Sequence, residues 1–290
     1  MFIRKTSLRV LFRRLTAVFT VLLTLVISQL VAAEDPLSKP VVLSGQVSQG
    51  GLVVGRILPD EKVFVEGLQL ATTDEGIFLL GLGRKADEII ELTIVGQDGS
   101  ASLHQLPVAQ RTYRVQKIEG VPQRTVTPDE KDLARIQRDA LMVKQSRQLV
   151  SSRTDFLSGF VRPLNGPVTG VYGSQRVYNG VPGSPHYGID YAAPTGTLVA
   201  APAPGRVIFA HPDLFYSGGT LIIDHGFGLR STFLHLSEIL VTKGDQVARG
   251  ESVAKVGATG RATGPHLDWR MNWRDVRVDP QLVLKALPAD

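Results

Sequence analysis

Gly264-Pro265-His266-Leu267-Asp268-Trp269-Arg270-Met271-Asn272-Trp273 alternates polar and apolar side chains from His266 to its end. A period of two marks a β-strand, whose successive side chains point to opposite faces. It puts His266, Asp268, Arg270 and Asn272 on one face and Leu267, Trp269, Met271 and Trp273 on the other. His266 and Asp268 then point the same way, about 7 Å apart along the strand. The plain reading is a half-buried strand with a polar outer face, on which Arg270 and Asp268 can pair. The functional reading is that imidazole and carboxylate groups at this spacing can take part in a metal site.

Six histidines occur in 290 residues, and there is no cysteine, so any metal site must use His, Asp or Glu. His186 and Asp190 lie four residues apart in His186-Tyr187-Gly188-Ile189-Asp190, and a turn at Gly188 would let both reach one point. The plain alternative is a loop histidine and an aspartate capping a turn. His235 ends the run Ser231-Thr232-Phe233-Leu234, while His225 follows Ile222-Ile223-Asp224, and composition does not rank the two. His104 stands alone and reads as structural or exposed.

The surrounding chain is predicted to be mainly β. Residues 38–120 carry short apolar runs such as Val63-Phe64-Val65 and Ile77-Phe78-Leu79-Leu80 between turn residues, with Asp98-Gly99 a good hairpin turn. Their spacing predicts a small N-terminal β-sandwich. Thr127-Pro128-Asp129-Glu130 has the form of a helix start, and Leu133, Ile136, Ala140 and Val143 follow as one apolar stripe. A connecting helix over 127–152, packed on a neighbouring domain, is expected. Residues 156–290 hold a loop at 173–188 and then short β-like runs punctuated by glycine. They predict an antiparallel β domain, because the strands are too short and the turns too frequent for a βαβ sheet. There is no internal repeat.

The net charge of +5 is misleading. Residues 1–33 contain Arg4, Lys5, Arg9, Arg13 and Arg14 and no acid, and the remaining 27 basic residues balance 27 acidic ones. Nucleic-acid binding therefore has no electrostatic support. A basic start, an apolar run from Leu15 to Val31 and the small residues of Val31-Ala32-Ala33 form a secretory signal pattern. The alternative is an uncleaved membrane anchor. Either way, export to a periplasmic location is expected, with membrane contact only if the segment is retained.

Three ordered segments carry a resemblance. They are Gly183-Ser184-Pro185-His186-Tyr187-Gly188-Ile189-Asp190 with its continuation to Val207, Gly218 to Ser237 with its Phe233-Leu234-His235-Leu236, and Lys243 to Asp268 with its closing Gly264-Pro265-His266-Leu267-Asp268. From about Val168 to Trp269 the chain resembles the lysostaphin-type (LytM-like) zinc endopeptidases, which cleave peptide cross-links of bacterial peptidoglycan. The family pattern is H-x3-D, a distal H-L and a closing H-x-H. The resemblance implies zinc ligands at His186 and Asp190, and second-sphere histidines at His235 and His266 that activate water and stabilise the oxyanion. It also implies a substrate-groove segment at Tyr172-Gly173-Ser174-Gln175-Arg176, with Tyr172 and Arg176 contacting the stem peptide. The N-terminal β domain and helix look like those preceding the catalytic domain in some Gram-negative members.

One position departs. The closing motif is His266-Leu267-Asp268, where the family has a second histidine as third ligand, and Arg270 stands where Glu is common. In one reading Asp268 is the third zinc ligand. Two carboxylates and one imidazole then make the metal a weaker Lewis acid. In the other the site has lost its metal, and the domain binds and activates other cell-wall hydrolases. The expected function is a zinc metalloendopeptidase of peptidoglycan, with the degenerate binder as the competing class and a small-molecule- or sugar-binding β protein as a third.

Overall fold

A computed structural model of the chain describes residues 42–119 and 129–290. Residues 1–33, which carry the expected secretory pattern, and the helix-start residues Thr127 and Pro128 lie outside the described residues. Strands β1 (Val42–Gly45), β2 (Leu52–Arg56), β3 (Lys62–Val65), β4 (Leu68–Gln69), β5 (Ile77–Gly81), β6 (Ile89–Val95), β7 (Ala101–Pro107) and β8 (Val115–Ile118) come first. The first seven form two antiparallel sheets, ordered β1-β2-β5 and β4-β3-β6-β7. Val63, Leu92 and Ile94 of one, and Leu52, Phe78 and Leu80 of the other, are buried in one core cluster. Gly55 pairs with Phe78, and a Cβ on it would meet the Phe78 ring at 2.1 Å, so glycine lets the ring lie flat across the partner strand.

Helix α1 (Glu130–Ser146) follows, with no fully buried residue. It docks on the strand that ends at Leu214 and the loop after it largely through polar groups. Leu133 is 41 % exposed, whereas Arg135 donates to Asp213 and Asp139 accepts from the Phe215 amide at 2.7 Å. Asp129, the residue before the helix, makes no side-chain cap. The charged side of the helix thus meets an edge of the C-terminal sheet whose backbone donors need partners, and the apolar stripe is left half-covered.

Strands β9 (Val168–Gly170), β10 (Gln175–Tyr178), β11 (Val181–Pro182), β12 (Gly188–Ala192), β13 (Leu198–Ala200), β14 (Gly205–Leu214), β15 (Gly218–Asp224), β16 (Leu229–Leu236), β17 (Glu238–Ile239), β18 (Gln246–Val247), β19 (Ser252–Lys255), β20 (His266–Trp273) and β21 (Val276–Val278) complete the β structure before helix α2 (Pro280–Ala286). The central sheet runs β18-β14-β15-β16-β20-β12-β9, with β21 added beside β20, and all its pairings are antiparallel. The mainly β architecture is therefore as the sequence predicts. Trp269, Leu267 and Met271 are fully buried on one face of β20, as the alternation requires. The opposite face is polar but not solvated: Asp268 and Asn272 are buried too.

The earlier strands hold this domain at its rim. β8 pairs in parallel with β10, Arg84 donates to the Gly173 carbonyl at 2.9 Å, and Arg111 pairs with Asp279 at 3.0 Å. Gly81 lies so close to Trp273 that a Cβ would meet the tryptophan Cβ at 2.9 Å.

His225 sits fully buried behind the sheet, its ring bonded to the Pro204 carbonyl at 2.7 Å and to Ser231 Oγ at 2.8 Å. Burial pushes its imidazole down to about 4. The unfolded chain takes up this proton below about pH 6.5, while the folded chain refuses it until about pH 4. The stabilisation is thus present above pH 6.5 and is lost on acidification, by roughly 3 kcal/mol over that window. Urea unfolding of wild type and His225→Gln at stepped pH should show this part of the acid slope only in wild type. Parallel slopes would contradict it.

Candidate metal centre and its histidines

The register of β12 against β20 builds the site. Asp190 stands opposite Asp268, Gly188 opposite Arg270 and Ala192 opposite His266. Directly opposed residues of an antiparallel pair share a face, so both carboxylates project to the polar side. His186 precedes β12 and turns its Nε2 to within 3.0 Å of Asp190 Oδ1. One donor atom from each of His186, Asp190 and Asp268 lies within 4.8 Å of the others. The sequence anticipates a turn at Gly188, but the glycine is the first residue of an extended strand.

Glycine is needed there for a different reason. A Cβ at Gly188 would come within 2.3 Å of Asp268 Oδ1, and one at Gly170, on β9, within 2.1 Å of Asp190 Oδ2. The two carboxylates sit in a cradle that any larger residue would fill.

His235 and His266 face the same point, with ring centroids 4.8 Å apart. His266 Nε2 lies 4.0 Å from Asp190 Oδ1. Its Nδ1 is 2.8 Å from the Gly264 carbonyl, and His235 Nδ1 is 2.8 Å from the Thr259 carbonyl. A carbonyl only accepts, so each ring carries a proton on Nδ1, and the neutral form of either ring leaves Nε2 bare toward the site. Strand alternation alone would aim His235 to the opposite face from Thr232 and Leu234. Its φ of +63° and a register shift opposite Gly219–Leu221 mark a β-bulge that re-aims the ring. A left-handed histidine costs about 1–2 kcal/mol.

Charge is unevenly distributed. Burial and the neighbouring Asp268 charge push the Asp190 carboxyl up. Burial alone would raise Asp268 as well, but the Arg270 guanidinium, by charge and by hydrogen bond, holds it below its usual range. Arg270 Nε is 3.0 Å from both Asp268 oxygens and Nη2 is 2.5 Å from Oδ2. The predicted pairing of Arg270 with Asp268 and the predicted convergence of Asp268 with His186 and Asp190 thus both occur. Burial pushes the His186 and His235 imidazoles down, favouring the neutral rings.

The expected groove residues divide. Arg176 is exposed on β10, and its positive charge reaches His186 and Asp190. Tyr172, expected to touch substrate, is instead 3 % exposed, with its hydroxyl donating to the Arg277 carbonyl at 2.9 Å and Arg111 beside its ring. Its ring packs edge-on against Tyr113 and Tyr187. His225 and His104 lie away from the site, His104 bonding Ser102 on β7 at 3.1 Å. Sequence reading missed Gly170, whose role depends on register, and Arg147, which belongs to no motif.

Residues 184–280 match the sequence profile of Peptidase family M23. Peptidoglycan DD-endopeptidase ShyB of Vibrio cholerae serotype O1 is 42 % identical over 124 residues, covering 42 % of this chain and 26 % of that protein. Peptidoglycan DD-endopeptidase ShyA of the same organism is 43 % identical over 105 residues, covering 36 % and 23 %. The match spans about a quarter of the length of these curated relatives. A crystal structure of a protein assigned to peptidase M23 from Pseudomonas aeruginosa superposes with a TM-score of 0.64 at 30 % identity, covering 83 % of this chain and 96 % of that one. With the fold shared over nearly the whole of that protein and the profile falling on the strands that carry the site, the chain belongs to peptidase family M23.

Proposed function

We propose that the chain is a zinc-dependent endopeptidase that hydrolyses peptide cross-links of bacterial peptidoglycan after export to the periplasm. Family membership, the relatives named DD-endopeptidases and the convergent His186, Asp190 and Asp268 support this reading. The pattern of residues 1–33 supports export, and no described helix is long and apolar enough to cross a membrane.

The donor set fits a metal. His186 Nε2 and Asp190 Oδ1 are buried polar atoms without a hydrogen-bond partner, which is costly unless something else satisfies them. One imidazole and two carboxylates suit zinc, and a carboxylate keeps lone pairs beyond those an arginine fork occupies. Bound there, zinc supplies Lewis acidity for the scissile carbonyl and for water.

The chain's own groups handle the protons. His235 and His266 enter with bare Nε2 atoms, so either can take a proton from an attacking water. Neither offers an N–H to the groove at that stage. An imidazole becomes a donor to the developing oxyanion, or to the leaving amine, only after it has taken up that proton. The carbonyls of Thr259 and Gly264 fix both rings throughout. Arg176 at the rim presents a cation to the incoming peptide.

One observation favours the second reading, a metal-free domain acting on other wall hydrolases: Arg270 engages both oxygens of Asp268. Elemental analysis beside digestion of cross-linked muropeptides separates the two. The endopeptidase reading expects about one zinc per chain and cleavage abolished by chelator. Folded protein without metal and without cleavage would contradict it. Asp268→Ala should lose the metal and Asp268→His keep it, and retention by the alanine variant would refute Asp268 as a ligand. Gly188→Ala, whose Cβ invades the Asp268 carboxylate, should weaken zinc binding about 10–100-fold. Gly83→Ala, whose Cβ would make only ordinary contact with Val276, should not, and equal affinities for the two glycine variants would contradict the cradle.

A further inference from the structure

We propose that Arg147 and Arg277 form a subsite for a carboxylate of the wall peptide, on the same sheet face as the metal ligands. The inference rests on the endopeptidase reading and adds a recognition element to it.

The ladder fixes the placement. Along β20 the polar face continues from Asp268 to Arg270 and Asn272, and the register partners on β16 are Leu234, Thr232 and Arg230. Arg277 lies opposite Asn272 on β21 and donates to its side-chain oxygen at 2.9 Å. Arg147, the residue that ends α1, reaches onto the same face and donates from Nη2 to Thr232 Oγ1 at 3.0 Å. Arg270 and Asn272 are about 7 and about 13 Å along the strand from Asp268. An extended peptide with its scissile bond at the metal would therefore bring a group about two to four residues away to these guanidiniums.

The charge count leaves two cations over. Four arginines meet here. Arg270 is taken by Asp268, and Arg230 by Asp224 at 3.5 Å and by the Leu149 carbonyl. Arg147 and Arg277 have neutral partners only, a hydroxyl and an amide oxygen. The remaining acid facing Arg147 is Asp275, exposed in the turn between β20 and β21. A guanidinium has five N–H donors. Among the described residues, Arg277 spends only Nη1 and Arg147 only Nη2 on hydrogen bonds, and Arg147 Nε is buried without a partner. Burial and the charges of Arg277, Arg230 and Arg270 push Arg147 down to about 9, and burial and the Arg270 charge, partly offset by Asp268, push Arg277 to about 10. An anion would relieve that repulsion. The fork of an arginine matches a carboxylate, which is the anionic group that a peptide substrate carries.

The test is calorimetric titration of the zinc-loaded intact chain with an uncross-linked stem peptide, then with the same peptide amidated at each carboxylate in turn. Amidating one carboxylate should weaken binding about ten-fold or more. Arg147→Gln and Arg277→Gln should each weaken the free acid by a similar factor and leave that amide unchanged, with zinc content and melting temperature as in wild type. Equal binding of the acid and every amide, no measurable binding of the acid, or variants that keep the discrimination would each overturn the proposal. Cleavage of cross-linked dimers without discrimination defeats this inference alone. Discrimination without cleavage defeats the endopeptidase reading and leaves the subsite as a wall-binding surface.

Discussion

Asp190 and Asp268 stand directly opposite each other on paired strands, Asp268 buried and Asp190 partly so, and two like charges so placed repel unless cations are brought to them. Arg270 neutralises one carboxylate from the strand's own face, and His186 and the proposed zinc approach the other side. The rest of the site is arranged around that constraint. Gly170 and Gly188 leave room for the carboxylates, and β16 bulges to bring His235 toward them.

The Arg270–Asp268 pair also bears on why an aspartate can occupy the closing position. Two carboxylates and an imidazole carry one more negative charge than two imidazoles and a carboxylate. A guanidinium bonded to Asp268 offsets that charge without itself being a ligand. The bulk sheet supports the arrangement from behind: Trp269, Leu267, Met271 and Phe233 are fully buried on the opposite face. A strand anchored in this way holds its polar side chains in place, which the proposed proton transfers would require.

Much of this was legible in the residues. The alternation from His266 to Trp273 sorts the residues of β20 onto their two faces but not the burial of Asp268 and Asn272 on the polar one, and His186 and Asp190 do converge. What stayed hidden depended on non-local geometry. Nothing in Phe233-Leu234-His235 announces a bulge, so the ring's direction could be read only from the register against β15. Tyr172 has the residue type of a groove aromatic, but Tyr113, Arg111 and the Arg277 carbonyl enclose it. The stripe Leu133, Ile136, Ala140 and Val143 marks a helix but does not say which side chains dock it, and it is Arg135 and Asp139 that find partners on β14 and the loop after it. Arg147 lies near no motif and acquires meaning only beside Thr232.

The most direct measurement is a crystal structure of the zinc-loaded chain with anomalous data collected at the zinc edge. The account predicts one strong peak about 2.0–2.2 Å from a nitrogen of His186 and from oxygens of both Asp190 and Asp268, with Arg270 still bonded to Asp268. A peak that leaves Asp268 out, or no peak between β12 and β20, would contradict it.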